Sequence, residues 1–199
     1  MIKSVSTRLK LKIKDLKSAK HDKMVESTKQ NGLIPHYPVT NHKLTYECPD
    51  IYLDHHVMDL KFSPTQNIMV IGQVTGHLRI YAFTEEVMEE VLDMTHHTDS
   101  VRSVDYNPAG NIVYASSTDG SFSVISNGRL EGHLTEAHKQ PINKIIHIEN
   151  DHVVATGDDD GHMKIWDLRM ATKGKKDSCV LSFDEHEGTI TDMVYSTEK

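Results

Sequence analysis

A chain of 199 residues with 37% hydrophobic and 26% charged side chains has the make-up of one or two ordinary globular domains. Its apolar runs, such as Ile68 to Ile71, fall far short of the roughly 20 residues that cross a bilayer, so no membrane span is expected. Nine Lys or Arg against three acids give residues 1–30 a charge of +6, and 13 against 26 give the remainder −13, so a basic segment precedes an acidic body.

The first segment has one short alternation, Leu9, Leu11 and Ile13 between lysines, and no aromatic side chain. It cannot bury enough apolar area to offset the entropy of ordering its backbone. Residues 1–48 are therefore expected to be a disordered basic tail and linker: a solubilising terminus, a nuclear or nucleolar address, or a contact to RNA phosphate. No apolar segment follows the N-terminal lysines, so no secretory signal is expected. Cys48 and Cys179 stand far apart, which fits free thiols in a reducing compartment better than a disulfide framework.

Behind the tail the chain repeats itself. Gly76, Gly120 and Gly161 are spaced 44 and 41 residues apart, within VIGQVTGHLRIY, ASSTDGSFSVI and TGDDDGHMKIW. Each copy reads as a short apolar strand, a tight turn and a second strand of alternating residues. Asp119-Gly120 and Asp160-Gly161 are dipeptides that two-residue hairpins favour. A second set of anchors runs in phase: Val57, Leu60 and Phe62; Val101, Val104 and Tyr106; Ile142, Ile145 and His147; Ile190, Met193 and Tyr195. Three of these units carry a histidine four residues earlier, at His97, His138 and His186, where the first has Leu53. Such a period marks propeller blades.

At this point the sequence resembles the WD-repeat β-propeller family, over about Asp50 to the end. The resemblance implies an all-β, partial propeller of about three blades plus the first strand of a fourth. The domain would occupy residues 49–199, with units at about 53–83, 97–126, 138–168 and 186–199. Only the third unit carries the full motif, with His138, Thr156, Asp160, Trp166 and Asp167. In that reading the Asp160 carboxylate accepts from His138, whose ring meets Thr156 and through it the Trp166 indole. Buried polar groups need partners, so the network is structural and fixes the turn.

Asp158 and Asp159 are then expected on the face where turns emerge, as part of an acidic surface open to partners. No calcium-loop spacing follows them and the histidines lack zinc spacing, so neither metal nor cofactor is expected. No nucleophile elbow or phosphate-cradling glycine loop is present, and no catalytic residue is assigned.

The stretch Ala137 to Arg169, with PDIYLD (Pro49 to Asp54) and FDEHEGTITDM (Phe183 to Met193), is similar to the subgroup of WD repeat-containing protein 55 and its fungal counterparts. That resemblance implies a non-enzymatic nucleolar or nuclear platform for ribosome-assembly factors, supporting ribosomal RNA processing and large-subunit assembly. RNA would be touched at most through the basic tail, because the acidic body repels phosphate. A second reading takes Trp166-Asp167-Leu168-Arg169 as a box that docks on the adaptor of a cullin-RING ubiquitin ligase, with Arg169 projecting; alternatively Arg169 pairs with carboxylates of its own blade. Three blades and a fraction do not close a ring, so a fragment of a longer propeller is expected, the alternative being that two or more copies assemble one propeller. By resemblance PDIYLD would be the outermost strand of the final blade and is expected to dangle.

Overall fold

The structure, a computed structural model, describes residues 7–9, 51–84, 87–171 and 178–196. Among them lie three four-stranded antiparallel sheets, each a meander. The first comprises β3 (Val57–Phe62), β4 (Ile68–Gln73), β5 (Leu78–Phe83) and β6 (Met88–Met94). The second comprises β7 (Val101–Tyr106), β8 (Ile112–Ser117), β9 (Phe122–Ser126) and β10 (Arg129–Leu134). The third comprises β11 (Ile142–Glu149), β12 (Val153–Asp158), β13 (Met163–Asp167) and β14 (Cys179–Phe183), with a single helical turn, α1 (Leu168–Ala171), after β13.

Burial explains the sequence pattern sheet by sheet. The second strand of each is buried almost throughout, as in Ile112–Ser117 and Val153–Asp158. Such a strand is covered on both faces and reads as a continuous apolar or small-residue run. The cores lie between sheets. Val70, Leu78, Val101 and Val104 join the first to the second, while Tyr114, Phe122, Ile142, Ile145 and Trp166 join the second to the third. The in-phase anchors Val101, Val104, Ile142 and Ile145 are thus among the residues that join neighbouring sheets.

The repeated glycines have a geometric cause. Gly120 and Gly161 sit at φ of 78° and 87°. A Cβ there would lie 2.6 Å from the His138 carbonyl oxygen and 2.4 Å from that of His186. Each hairpin turn therefore presses against the loop that leads to the next unit, and only glycine permits both the angle and the approach.

Several boundaries differ from the sequence reading. Each sheet continues past the motif into a fourth strand, β6, β10 or β14, an edge without a repeated signature: β6 and β10 mix polar and apolar residues, and β14 (CVLSF) is mostly apolar. PDIYLD does not dangle: β2 (Ile51–Leu53) pairs antiparallel with β1 (Thr7–Leu9), and Ile51 and Leu53 are buried against Met69, Ile71, Tyr81 and Phe83. The tail thus contributes one strand, because two short segments satisfy each other's backbone groups; its other residues lie outside the described ones. Residues 190–195 form no strand, although Ile190 is buried and its amide donates to the Asp158 carbonyl at 3.0 Å.

Buried polar relays and the turn-bearing surface

The relay of the third sheet begins at Trp166 on β13, whose indole Nε1 donates to Thr156 Oγ1 on β12 at 2.7 Å. Thr156 Oγ1 lies 2.7 Å from His138 Nε2, and His138 Nδ1 lies 2.8 Å from Asp158 Oδ2. An ionised carboxylate only accepts, so Nδ1 carries the proton. Burial lowers the His138 pKa, which leaves the ring neutral and Nε2 free to accept the threonine hydroxyl proton. Every member then has a partner: Trp166 to Thr156, Thr156 to His138, His138 to Asp158.

The carboxylate in this relay is Asp158, not Asp160. Asp158 ends β12 with its side chain buried, and its Oδ1 also accepts from the amides of His162 at 2.8 Å and Asp160 at 3.1 Å. Burial pushes its pKa up, but the hydrogen bonds from His138 and the His162 amide outweigh this and hold it below the usual range. Asp160 is in the turn itself and exposed. The triplet is a hairpin cap, as the sequence implied, but its first carboxylate reaches back under the turn while the third points outward.

Asp158 is consequently inaccessible to a partner, which removes it from the surface candidates. Asp159 is half-buried and ties two sheets together: its Oδ1 accepts from Asn143 Nδ2 at 2.6 Å, and its Oδ2 lies 3.5 Å from Arg102 Nη1, which also donates to Asn143 Oδ1. Asp167 and Arg169 clasp each other, with Arg169 Nε and Nη2 donating to the two carboxylate oxygens at 2.9 and 2.6 Å. The Arg169 hydrogen bonds bring the Asp167 carboxyl down to about 2. The guanidinium is committed to its own carboxylate, which is the local pairing weighed against adaptor docking.

Sequence reasoning missed a group in the second sheet. His97 sits where His138 does, but Ala115 and Ile125 replace the threonine and tryptophan. Its ring turns instead to two serines, with Nδ1 2.9 Å from Ser121 Oγ and Nε2 2.9 Å from Ser123 Oγ. Asp119 is one hydroxyl further out, accepting from Ser121 Oγ and from the Thr98 amide. Two more imidazoles crowd in: the His96 ring centroid lies 4.4 Å from that of His97, and His133 lies 5.3 and 5.1 Å from them. Both ring nitrogens of His96 are buried without a partner. The doublet His96-His97 was visible in the sequence, whereas His133 arrives only through the β9–β10 register, opposite Ser123. Among the described residues no group of His, Cys, Asp or Glu could hold a metal ion.

What remains exposed at the turn-bearing ends of the sheets is mostly acidic: Asp54, Asp99, Asp160, Asp184, Glu185 and Glu187. Lys139 is an exposed base at the same end.

Comparison with known proteins agrees with this architecture. Residues 88–126 and 128–167 match the family described as WD domain, G-beta repeat. A WD repeat-containing protein 55 homolog of Aedes aegypti is 36% identical over 124 residues, covering 61% of this chain and 26% of that protein. WD repeat-containing protein 55 of Danio rerio is 30% identical over 154 residues, covering 75% of this chain and 38% of that protein. The chain therefore spans well under half the length of these relatives. Among solved structures, Chaetomium thermophilum Sqt1 bound to the N-terminus of a ribosomal protein superposes with a TM-score of 0.58 at 22% identity, covering 66% of this chain and 35% of that one. A computationally designed protein, Ika8, superposes at 0.56 with 23% identity, covering 70% and 40%. The phased glycines, the interleaved sheet cores and these likenesses agree: the chain carries WD repeats in a β-propeller fold and is similar to WD repeat-containing protein 55.

Proposed function

We propose that the chain serves as a non-enzymatic scaffold in the nucleolus, supporting ribosomal RNA processing and large ribosomal subunit assembly by holding basic assembly partners on its turn-bearing surface. The observation that carries this reading is the run of exposed carboxylates at the turn ends, on a body of charge −13. Such a surface attracts Lys- and Arg-rich protein extensions and repels RNA phosphate. Likeness to the protein 55 subgroup supports the same setting, and Sqt1, a fold neighbour, has been crystallised with the N-terminus of a ribosomal protein. RNA contact in this scheme falls to the basic residues 1–30. The ligase-adaptor alternative draws nothing from Arg169, which is clasped to Asp167.

The test is depletion of the full-length protein followed by hybridisation of pre-ribosomal RNA, with a tagged copy localised in parallel. Accumulation of large-subunit precursors and a nucleolar signal are expected. Normal precursor levels after complete depletion would remove the reading.

A further inference from the structure

At the ends of the sheets opposite the Gly120 and Gly161 turns, a groove of about 410 Å³ opens between the first and second sheets. That size lies within the range of specific ligand sites. Its walls are apolar, formed by Ile68, Ile80, Leu92, Val113 and Ile125, and its rim carries the amides of Gln66, Asn111 and Asn127.

Two features mark the groove as more than a packing gap. The first is Tyr106, which lines it with only 6% of its surface exposed and whose hydroxyl is buried without a partner. A buried hydroxyl left unsatisfied costs free energy that an incoming acceptor would recover. Burial also holds the phenol protonated, so it is available as a donor. The second is a β-bulge. Leu92 pairs with Ile80 and Glu90 with Tyr81, which leaves Val91 as the extra residue of β6. In a regular strand, neighbours face opposite ways. The bulge instead turns both Val91 and Leu92 to the groove, and Val91 stays 56% exposed. Bulges re-aim side chains in this way beside functional sites.

The occupant follows from what surrounds the groove. β6 is the last strand of its sheet, so one row of its backbone groups has no strand partner among the described residues. An extended peptide can add there by main-chain hydrogen bonds, with alternate side chains reaching pockets. Glu89, Glu90 and Asp93 lie along this strand, which carries no base; Arg79 contacts Glu90 and Asp93 and offsets part of the charge. We propose that the groove docks an extended basic peptide of a partner protein, which adds to the free edge of β6 and seats one apolar side chain between Val91 and Tyr106, with its backbone carbonyl accepting from the Tyr106 hydroxyl. This site is separate from the turn-bearing surface at the other ends of the sheets, and stands whether or not that surface binds.

The experiment is fluorescence anisotropy of the whole chain with a labelled peptide that has one central leucine flanked by lysines and arginines. Saturable binding is expected, weakened about tenfold by Val91→Lys and severalfold by Tyr106→Phe, the size of change usual when an interface anchor is altered. Tyr106→Phe keeps the ring, and its thermal unfolding serves as the folding control. The losses caused by Val91→Lys and Tyr106→Phe should be the same in a background carrying Asp160→Asn, which alters only the turn-bearing surface. Equal affinity for a probe with serine in place of leucine, or binding indifferent to Val91→Lys, would overturn the proposal and reduce the attraction to charge alone.

Discussion

The second and third sheets share a backbone plan and differ in what they bury at its polar centre. In the third, one threonine and one tryptophan close a relay in which each proton has a single destination. In the second, Ala115 and Ile125 remove both groups, and the histidine at the same place, His97, is held by two serines and crowded by two further imidazoles. The backbone plan tolerates this because the turn glycine and the apolar anchors, not the relay, set how the sheets meet. The relay decides how costly it is to disturb each sheet and under what conditions it fails.

The largest effect is expected at the centre of the third sheet. Trp166→Ala removes an aromatic packed against Phe122 at 5.2 Å and leaves Thr156 without its donor. A loss of about 3–5 kcal/mol should follow, read from urea denaturation. Ile125→Ala, the matched change in the second sheet, deletes less volume and no hydrogen bond, and should cost about 2–4 kcal/mol. Equal losses at the two sites would show that the relay adds nothing to packing.

Next comes the choice of carboxylate. Asp158→Ala strands the His138 Nδ1 proton and two turn amides in a buried place, and should cost about 2–4 kcal/mol. Asp160→Ala touches an exposed side chain and should stay within about 0.5 kcal/mol. The reverse order of these two midpoints would return Asp160 to the relay.

Acid should separate the sheets further. In the second, burial, the neighbouring imidazoles and incomplete compensation by Asp119 lower the pKa of His96 and bring His97 down to about 3, from an ordinary 6.5. Below about pH 6.5 the unfolded chain takes up protons that these folded rings refuse, so stability is complete above that pH and is lost progressively as pH falls toward 3. His138 is also lowered, but its Asp158 partner favours the charged ring and blunts the loss. The groups facing the cluster are His96, His97, His133 and Asp119. Removing two of them with His96→Phe and His133→Phe should flatten the dependence of the urea midpoint on pH between about 5 and 7. An unchanged slope would place the acid sensitivity elsewhere.

How much of this was legible depended on whether a residue type was forced locally. Gly120 and Gly161 were readable because the positive φ and the close carbonyl admit no side chain. Val101, Val104, Ile142 and Ile145 were readable because inter-sheet burial repeats with the period of the unit. The relay was readable in His138, Thr156 and Trp166 but not in its carboxylate. Three adjacent aspartates look alike in sequence, and only the pairing of Ile142 with Asp158 fixes which one ends the strand. Nor could local pattern reveal β1, whose strand state rests on Ile51–Leu53 more than forty residues later, or the arrival of His133 beside His97. In each case the deciding contact is long-range.

The smallest effect should come from the pair that the second sequence reading placed in a docking box. Arg169 and Asp167 form a two-pronged clasp, yet Arg169 is 62% exposed and lies at a strand end, where water competes for both groups. Exposed pairs of this kind gain little, because side-chain ordering and screening offset the attraction. Arg169→Ala should therefore leave the denaturation midpoint where it was, and high salt should not distinguish the variant from the parent. What it should change is the titration of its partner. With the guanidinium gone, the Asp167 carboxyl loses the hydrogen bonds that hold it at about 2 and should rise toward the ordinary carboxylate range, visible in the carboxyl chemical shift on acid titration. A large fall in stability instead would mean that the clasp anchors α1 against the end of β13, a structural duty beyond simple charge pairing.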